Sequence, residues 1–338
     1  MQTLHVSVVI PTYNRAHLIE RALNSALPQL IDGDEIIVVD DDSKDNTEEV
    51  VRRFGEPVRY YRIPNNGAGR ARNFGVSQSR NELVAFLDSD DEWMPRKLHY
   101  QRTLMQARPE LLFSFSNFAV TDTDGRPLRR FLIHWNNDHR GWDSILGPGI
   151  PFSSVGPLPV GTEDFQVHTG DLSLAELQST YVLTSSMMAR RVEAGDALRF
   201  AEDVVTYEDL ECFGRLSLRG TAAYLDIETT WQHGHSGERL TDYAGLRRSD
   251  AHLVILERVW GSDPVFLRKY GDQYRRKLEQ VRLERIADLI AVGQTGNARS
   301  ELRLVEQAPT SYRLMARLPG AVARTLFQLK RVLASRRA

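Results

Sequence analysis

The chain has 338 residues, enough for one large domain or two modest ones, and a hydrophobic fraction of 41%, which is ordinary for a globular protein. Its formal net charge of −2 excludes a general electrostatic attraction to nucleic acid. Cys212 is the only cysteine, which excludes an internal disulfide and a zinc–thiolate cluster within one chain and favours a reducing compartment.

The start of the chain has neither the basic residues nor the apolar length of a secretion signal. No stretch contains the roughly 18 uninterrupted apolar residues of a membrane-spanning helix. These features predict a cytoplasmic protein.

Strands and helices alternate through the first hundred residues. Apolar runs followed by helical patterns predict a parallel sheet with helices on both faces, and ligands bind such sheets at the carboxyl ends of the strands. The predicted strands are 5–10, 35–39, 58–62 and 82–87, and the predicted helices are 16–27, 45–54, 69–79 and 95–108.

The pattern changes after the first hundred residues. Residues 131–170 are rich in Gly, Pro, Trp and His without periodicity, which is typical of a long functional or disordered loop. Around that loop we predict strands at 111–120 and 222–227, helices at 172–178 and 207–218, and helical structure from about 250, with 284–309 resembling one helix–turn–helix repeat.

The end of the chain, from Arg313, has seven basic residues and no acidic one. This pattern is typical of a helix lying on an anionic membrane, and the alternative is a terminal helix packed on its own protein. The apolar residues that would share one face of that helix are Leu318, Val322, Leu326, Leu329 and Leu333.

Carboxylates follow directly after the fourth predicted strand. Side chains alternate along a strand, so Asp88 and Asp90 point the same way and repel each other unless a cation lies between them. A hard divalent cation would satisfy both carboxylates and would also bind a diphosphate. The alternative is that these residues and Asp91 only cap the next helix.

Six segments occur together, in order, over about two thirds of the chain. They resemble the successive motifs of family-2 inverting glycosyltransferases of the GT-A fold. The segments are VSVVIPTYNR at 6–15, VVDDDSKDNT at 38–47, NNGAGRARNFGV at 65–76, AFLDSDD at 85–91, YEDLECFGRL at 207–216 and WQHGHS at 231–236.

The resemblance implies a nucleotide-sugar donor, a UDP-sugar by its second motif, and a divalent metal, Mn²⁺ or Mg²⁺. It implies transfer with inversion to an acceptor that is a glycan, a lipid-linked molecule or a small molecule. The Q-x-x-R-W motif of processive synthases is missing, which favours one transfer per encounter. The implied organisation is a nucleotide-binding half at 1–95, an acceptor half at 96–245 and a helical extension at 246–338.

The resemblance also assigns roles to the first acidic groups. Asp90 matches the metal ligand, and Asp88 matches a residue facing the ribose, the metal or its waters. Asp41 matches the residue that binds the uracil ring. Asp40 is expected to be structural, and Asp42 stands where the family usually has Gly.

The loop after the first strand and the third helix complete the implied donor site. Pro11, Thr12 and Tyr13 should wrap the base and ribose, while Asn14 could instead cap the following helix. Asn73 lies in the family's A-R-N segment and is a candidate donor ligand, with helix packing as the alternative.

Asp209 matches the family's catalytic base, which would deprotonate the acceptor hydroxyl. Acids in the first turn of a helix also stabilise its dipole, so a purely structural role is the alternative. Glu208 and Glu211 are substitutes in a shifted register, and Arg215 would be a structural or phosphate-facing partner.

His233 matches the late histidine that approaches the metal or diphosphate. Trp231 replaces the arginine common in the family, so a phosphate-neutralising cation is lost there. His235 or Arg239 could compensate for that loss.

Two other functional classes stay open from the residues alone. One is a binding protein that keeps the fold without turnover. The other is a dinucleotide-dependent oxidoreductase, which is disfavoured because PTYNR, rather than G-x-G-x-x-G, follows the first strand.

Overall fold

A computed structural model describes residues 3–121, 125–136, 140–204, 206–233 and 245–335. The chain divides into two compact units. The first comprises 1–203 and 208–237, and the second comprises 204–207 and 238–338. The segments predicted as nucleotide and acceptor halves share the one sheet of the first unit.

The amino-terminal part of that sheet is parallel, as predicted. Strand β1 (Val6–Thr12) pairs with β2 (Glu35–Asp40) on one side and with β4 (Leu83–Phe86) on the other, and β3 (Val58–Arg62) pairs with β2. All residues of β1, β2 and β4 are buried, as expected for strands covered on both faces. The connecting helices are α1 (Ile19–Ala26), α2 (Thr47–Arg52) and α3 (Ala68–Gln78).

The rest of the sheet is mixed. A short strand runs antiparallel between β4 and the next parallel strand, and the sheet then continues to its far edge. The further strands are β5 (Asp91–Trp93), β6 (Leu111–Thr121), β7 (Pro127–Leu128), β8 (Ile150–Pro151), β9 (Gln166–Gly170), β10 (Met188–Arg190) and β11 (Thr221–Gln232), in the order β3-β2-β1-β4-β10-β6-β11-β9-β8, with β5 on β11 and β7 on β6.

The helices of this part cover the two faces of the sheet, each above an apolar core. The helices predicted at 95–108, 172–178 and 207–218 are confirmed within a few residues. The helices are α4 (Lys97–Ala107), α5 (Phe131–Asn136), α6 (Trp142–Ile145), α7 (Ser173–Gln178), α8 (Arg191–Ala194) and α9 (Glu208–Arg219).

The prediction of one aperiodic loop over 131–170 is wrong in part. This segment contains α5, α6 and β8, and its last residues form β9, which pairs antiparallel with β11. Elements of two to six residues are too short to show a period, and β9 gains its hydrogen bonds from a strand more than fifty residues away.

The strand predicted at 222–227 is longer than expected. It continues to Gln232, and its end pairs both with β6 and with β5. Asp91 lies opposite Gln232 and Glu92 opposite Trp231 in this pairing. Residues of the fourth and sixth sequence motifs are therefore neighbours in the sheet.

The second unit is helical where the structure describes it, as predicted. The helices are α10 (Leu246–Val259), α11 (Pro264–Ala291), α12 (Thr295–Glu301), α13 (Thr310–Met315) and α14 (Gly320–Ser335). Their core contains Ile286, Ile290, Ala316 and Phe327. Within the described ranges, none of the helices has the length and apolar composition that crossing a membrane requires.

Candidate active site

The first two motifs meet at the carboxyl edge of the parallel strands. Thr12 at the end of β1 lies opposite Asp40 at the end of β2, and the backbone N–H of Asp41 donates to the carbonyl of Thr12 at 2.9 Å. The segments PTYN and DDDS are therefore adjacent, as the parallel pattern predicts.

Asp41 holds the loop that leads into α3. Its two carboxylate oxygens accept from the backbone N–H groups of Asn66 and Gly67, at 2.9 and 2.7 Å, and the residue is 4% exposed. Gly67 has φ +91°, a conformation that a residue with a Cβ adopts only with strain. The contact of Asp41 with a uracil ring stays a prediction and would use the lone pairs that the loop leaves open.

The two neighbours of Asp41 have distinct structural roles. Asp40 is fully buried and accepts from the backbone N–H of Ser43 and the hydroxyl of Tyr60, which confirms its structural role. Asp42 has φ +69° and forms an ion pair with Arg62. The left-handed backbone at Asp42 explains why glycine suits this position in the family.

Pro11 and Thr12 are buried at the end of β1, whereas Tyr13 is 45% exposed. The Thr12 hydroxyl is buried and has no hydrogen-bond partner within the described ranges. The alternative for Asn14 is wrong, because its carboxamide oxygen accepts from the N–H of Lys44 at 2.7 Å and does not cap α1. Donor binding by Pro11, Thr12 and Tyr13 stays a prediction.

Asn73 has a structural role in this conformation. Its carboxamide exchanges two hydrogen bonds of 2.9 Å with the backbone of Phe200 and donates a third to Glu202. The packing alternative is therefore supported by geometry, and a contact with the donor stays a prediction.

The carboxylates after β4 are held in place by neighbouring side chains. The Ser185 hydroxyl accepts from the backbone N–H of Asp88 and donates to the carboxylate of Asp91, and Arg21 donates to the backbone carbonyl of Asp90. Burial and the nearby Asp90 and Asp88 raise the pKa of Asp91 well above its ordinary value. The segment after β4 thus brings three carboxyl groups together, of which that of Asp91 is buried.

The chemistry of this donor set fits a hard divalent cation. Burial raises the pKa of Asp88, Arg72 opposes the rise, and Asp90 adds to it. A cation bound by oxygen ligands would relieve this repulsion. Among the described residues no group of three His, Cys, Asp or Glu side chains is arranged to hold a metal, so diphosphate or water oxygens would have to complete the coordination.

The late histidine faces a carboxylate in this structure. Nε2 of His233 lies 2.8 Å from Glu92, and its ring stacks on Trp231 with the centroids 5.9 Å apart. Partial burial lowers the pKa of His233, and Glu92 opposes that shift. Metal binding by His233 stays a prediction that requires this contact to open. His235 and Arg239 lie outside the described residues.

Arg72 joins two motifs that are 120 residues apart in sequence. Its guanidinium donates to Asp88 at 2.7 Å and to Glu208 at 3.0 Å, and it lies over the ring of Phe200 at 5.2 Å. Arg72 is 5% exposed, so both charge-assisted hydrogen bonds are shielded from water. The approach of α3 to this region requires Gly69, where a Cβ would lie 2.2 Å from the carbonyl oxygen of Ala201.

Asp209 lies beside this ion pair, in the first turn of α9. Burial and the neighbouring Glu208 raise its pKa to about 7, although Arg72 opposes the rise. Glu208 pairs with Arg72 and Glu211 with Arg215, so both substitute bases are held by arginines. A carboxylate that titrates near neutral pH is suited to general base catalysis.

A second buried carboxyl group was not expected from the sequence. Glu176 of α7 is 1% exposed; one of its oxygens accepts from the backbone N–H of Tyr181 at 3.0 Å and the other has no partner within the described ranges. Burial raises its pKa to about 8, and the charge of Asp209 adds to the rise. Helix α7 packs against α9, which explains this proximity.

Sequence reasoning missed Arg21, Ser185 and Glu176, and it recognised Arg72 only as part of the A-R-N segment that includes Asn73, which helix packing explains nearly as well. An arginine next to a candidate donor ligand gave a signal for Arg72. Nothing local marks the other three, because each acts on a partner more than thirty residues away or through burial.

Residues 7–153 match the family model described as glycosyl transferase family 2. An uncharacterised glycosyltransferase of Rickettsia conorii is 36% identical over 127 residues, 37% of this chain and 21% of that protein. The Escherichia coli UDP-Glc:alpha-D-GlcNAc-diphosphoundecaprenol beta-1,3-glucosyltransferase WfgD is 34% identical over 122 residues, 35% of this chain and 47% of that protein. The chain thus spans less than half the length of these two relatives.

Two solved structures share the fold over most of the chain. Residues 1–349 of S. aureus TarS, in complex with UDP-GlcNAc, align with a TM-score of 0.57 at 17% identity over 88% of each chain. The mannosyltransferase PcManGT of Pyrobaculum calidifontis, in complex with GDP-Man and Mn²⁺, aligns with a TM-score of 0.53 at 17% identity over 97% of this chain and 88% of that one.

These similarities, together with the mixed sheet, confirm the expected fold class and the resemblance to the family over residues 7–153. Residues 7–153 are thus similar to glycosyl transferase family 2, and the fold of the chain is of the GT-A type.

Proposed function

We propose that the protein is a glycosyltransferase that moves a sugar from a nucleotide-diphosphate donor to an acceptor, with metal assistance, inversion and one transfer per encounter. The observation that carries the proposal is the buried bridge from Asp88 through Arg72 to Glu208. It joins the acidic end of β4 to the start of α9, where Asp209 has a pKa of about 7.

The first task of the site is to stabilise the negative charge of the donor's departing diphosphate. A divalent metal held by Asp90 and Asp88 would stabilise the departing diphosphate as a Lewis acid. Arg72 donates to the carboxylate of Asp88 and Ser185 holds its backbone N–H, so Arg72 already orients this carboxylate before the donor arrives.

Asp209 performs the second task. Its carboxylate accepts the proton of the acceptor hydroxyl while the acceptor oxygen bonds to the anomeric carbon. The bond from that carbon to the diphosphate oxygen breaks with its electron pair remaining on the diphosphate. Attack from the face opposite the leaving group inverts the anomeric configuration.

A UDP-sugar is the proposed donor. The support is the position of Asp41 beside the end of β1, the UDP-GlcNAc complex of the TarS fragment and the UDP-glucose donor in the name of WfgD. The name of WfgD also includes a diphosphoundecaprenol acceptor, which favours a lipid-linked acceptor among the three open classes.

The test of the base is Asp209→Asn. Donor turnover is measured as release of nucleoside diphosphate, and donor binding as the rise in melting temperature that a UDP-sugar produces with Mn²⁺. We expect turnover to fall at least a hundredfold, which is within the range that removal of a general base produces, while the thermal shift persists. Full turnover by this variant would remove the assignment of Asp209.

The test of the metal ligand is Asp90→Ala. We expect this variant to lose the Mn²⁺-dependent part of the thermal shift with UDP. A binding protein without turnover would show the thermal shift in the wild-type chain but no release of nucleoside diphosphate, and that result would contradict the proposed enzyme.

A further inference from the structure

The last described helix, α14, has an exposed apolar strip that we call the outer stripe. It consists of Val322, Leu326 and Leu329, which are 46%, 42% and 54% exposed. Their spacing of four and three residues places them on one face of the helix. Three large apolar side chains on one exposed face are unusual unless something covers them.

The outer stripe is not the face by which α14 packs on its own unit. Ala323 and Phe327 are 0% and 7% exposed and belong to the core with Ile286 and Ile290. Each follows a stripe residue by one position, which turns it by about 100° around the helix. The helix therefore has one apolar face for folding and a second one that the packing of this unit does not use.

The sequence interpretation offered two alternatives, membrane contact or packing on the same protein. In the structure α14 packs on its own unit through Ala323 and Phe327. The outer stripe, whose three residues would contact a membrane, nevertheless stays exposed. Packing of α14 therefore does not account for the outer stripe.

Charge identifies the kind of partner. Residues 245–338 contain 19 Lys and Arg against 9 Asp and Glu, in a chain whose formal net charge is −2. The basic excess continues to the stripe itself, since no acidic residue follows Glu306, and Arg317 and Arg324 are exposed. A second copy docked on this face would bring like charges together, whereas an anionic lipid surface would attract them.

We propose that the outer stripe, flanked by exposed arginines, binds the surface of an anionic membrane, with α14 lying in the plane of the interface. The apolar side chains enter the region between headgroups and acyl chains, and the arginines contact lipid phosphates. This inference does not depend on the proposed transfer reaction, because binding to lipid needs no donor or acceptor.

The experiment is sedimentation of the full chain with sucrose-loaded vesicles of phosphatidylcholine containing 30% phosphatidylglycerol. We expect the wild-type protein to bind these vesicles and the double variant L326E/L329E to bind at least tenfold more weakly. Binding should also weaken between 0.05 and 0.5 M NaCl, as screening shortens the range of the attraction.

The matched control is Val265→Glu. Val265 is 63% exposed in the same unit, near the start of the helix whose other end, at Ile286–Ile290, packs in the core with α14. This variant also replaces an exposed apolar side chain by glutamate, but outside the outer stripe. It should bind vesicles like the wild type. Unchanged melting temperatures would show that all variants are folded, as expected for exposed positions.

Four outcomes would overturn the proposal. The wild-type chain could fail to bind the anionic vesicles, or the double variant could bind as well as the wild type. Equal binding to vesicles of phosphatidylcholine alone would show that anionic lipid does not contribute to binding. Light scattering that shows a dimer lost only in L326E/L329E, without vesicle binding, would identify a second copy as the occupant instead.

Discussion

Asp209 matches the position of the family's catalytic base, and its surroundings raise its pKa, which can be tested by measurement. Its pKa of about 7 comes from burial and from Glu208, so the basic form is only partly populated at neutral pH. We expect kcat/KM for donor turnover to rise about tenfold per pH unit below pH 7 and to level off above it. A profile that is flat between pH 5.5 and 8.5 would contradict a catalytic role for this group.

Glu176 gives a prediction for stability. Its pKa of about 8 in the folded chain exceeds its ordinary value, so between about pH 4.5 and pH 8 the native state keeps a proton that the unfolded chain releases. Stability contributed by this proton is present below that window and is lost as the pH rises through it.

The substitution Glu176→Gln removes the titrating group while keeping its shape. The melting temperature of this variant relative to the wild type should therefore be higher at pH 8 than at pH 5. Glu193→Gln, at an exposed position, is the control and should show no such difference. An equal offset for Glu176→Gln at both pH values would show that the carboxyl group does not titrate in this window.

At the scale of elements, Arg72 connects α3 to the end of β4 and to the start of α9. Removing one partner of a buried ion pair leaves uncompensated charge, which costs on the order of 3–5 kcal/mol. We expect Arg72→Met to lower the free energy of unfolding by that order, because Asp88 and Glu208 would then repel each other.

Two comparisons make the Arg72 prediction specific. Arg70→Met on the exposed side of the same helix should change stability by less than about 0.5 kcal/mol. The loss of stability in Arg72→Lys should lie between those of Arg72→Met and Arg70→Met. An ammonium keeps the charge but lacks the planar fork that reaches both carboxylates. Urea unfolding followed by circular dichroism would measure all three, and equal stability of both methionine variants would exclude the bridge as a connecting element.

At the scale of the whole molecule, the proposed donor and metal sites lie in the first unit, on the sheet. UDP with Mn²⁺ at about one hundred times its Kd should stabilise the unit that binds it by about 2.7 kcal/mol. We expect EDTA to remove most of this stabilisation in differential scanning calorimetry. A thermal shift that survives chelation would contradict metal-assisted binding of the diphosphate.

The sequence by itself determined the β/α alternation, because buried strands and amphipathic helices are local patterns. It also placed Asp41, Asp88 and Asp90 at one edge, since carboxyl ends of neighbouring parallel strands lie together. Its helical assignment of the second unit is likewise confirmed, within the described ranges.

Only the tertiary structure decided the contacts between distant segments. The pairing of β9 with β11, the bridge through Arg72 and the burial of Glu176 beside α9 depend on which surfaces meet. It also decided that Ala323 and Phe327, rather than the outer stripe, hold α14. Residue patterns specify which face of an element is apolar, but burial and pairing follow from partners far along the chain, which no local period encodes.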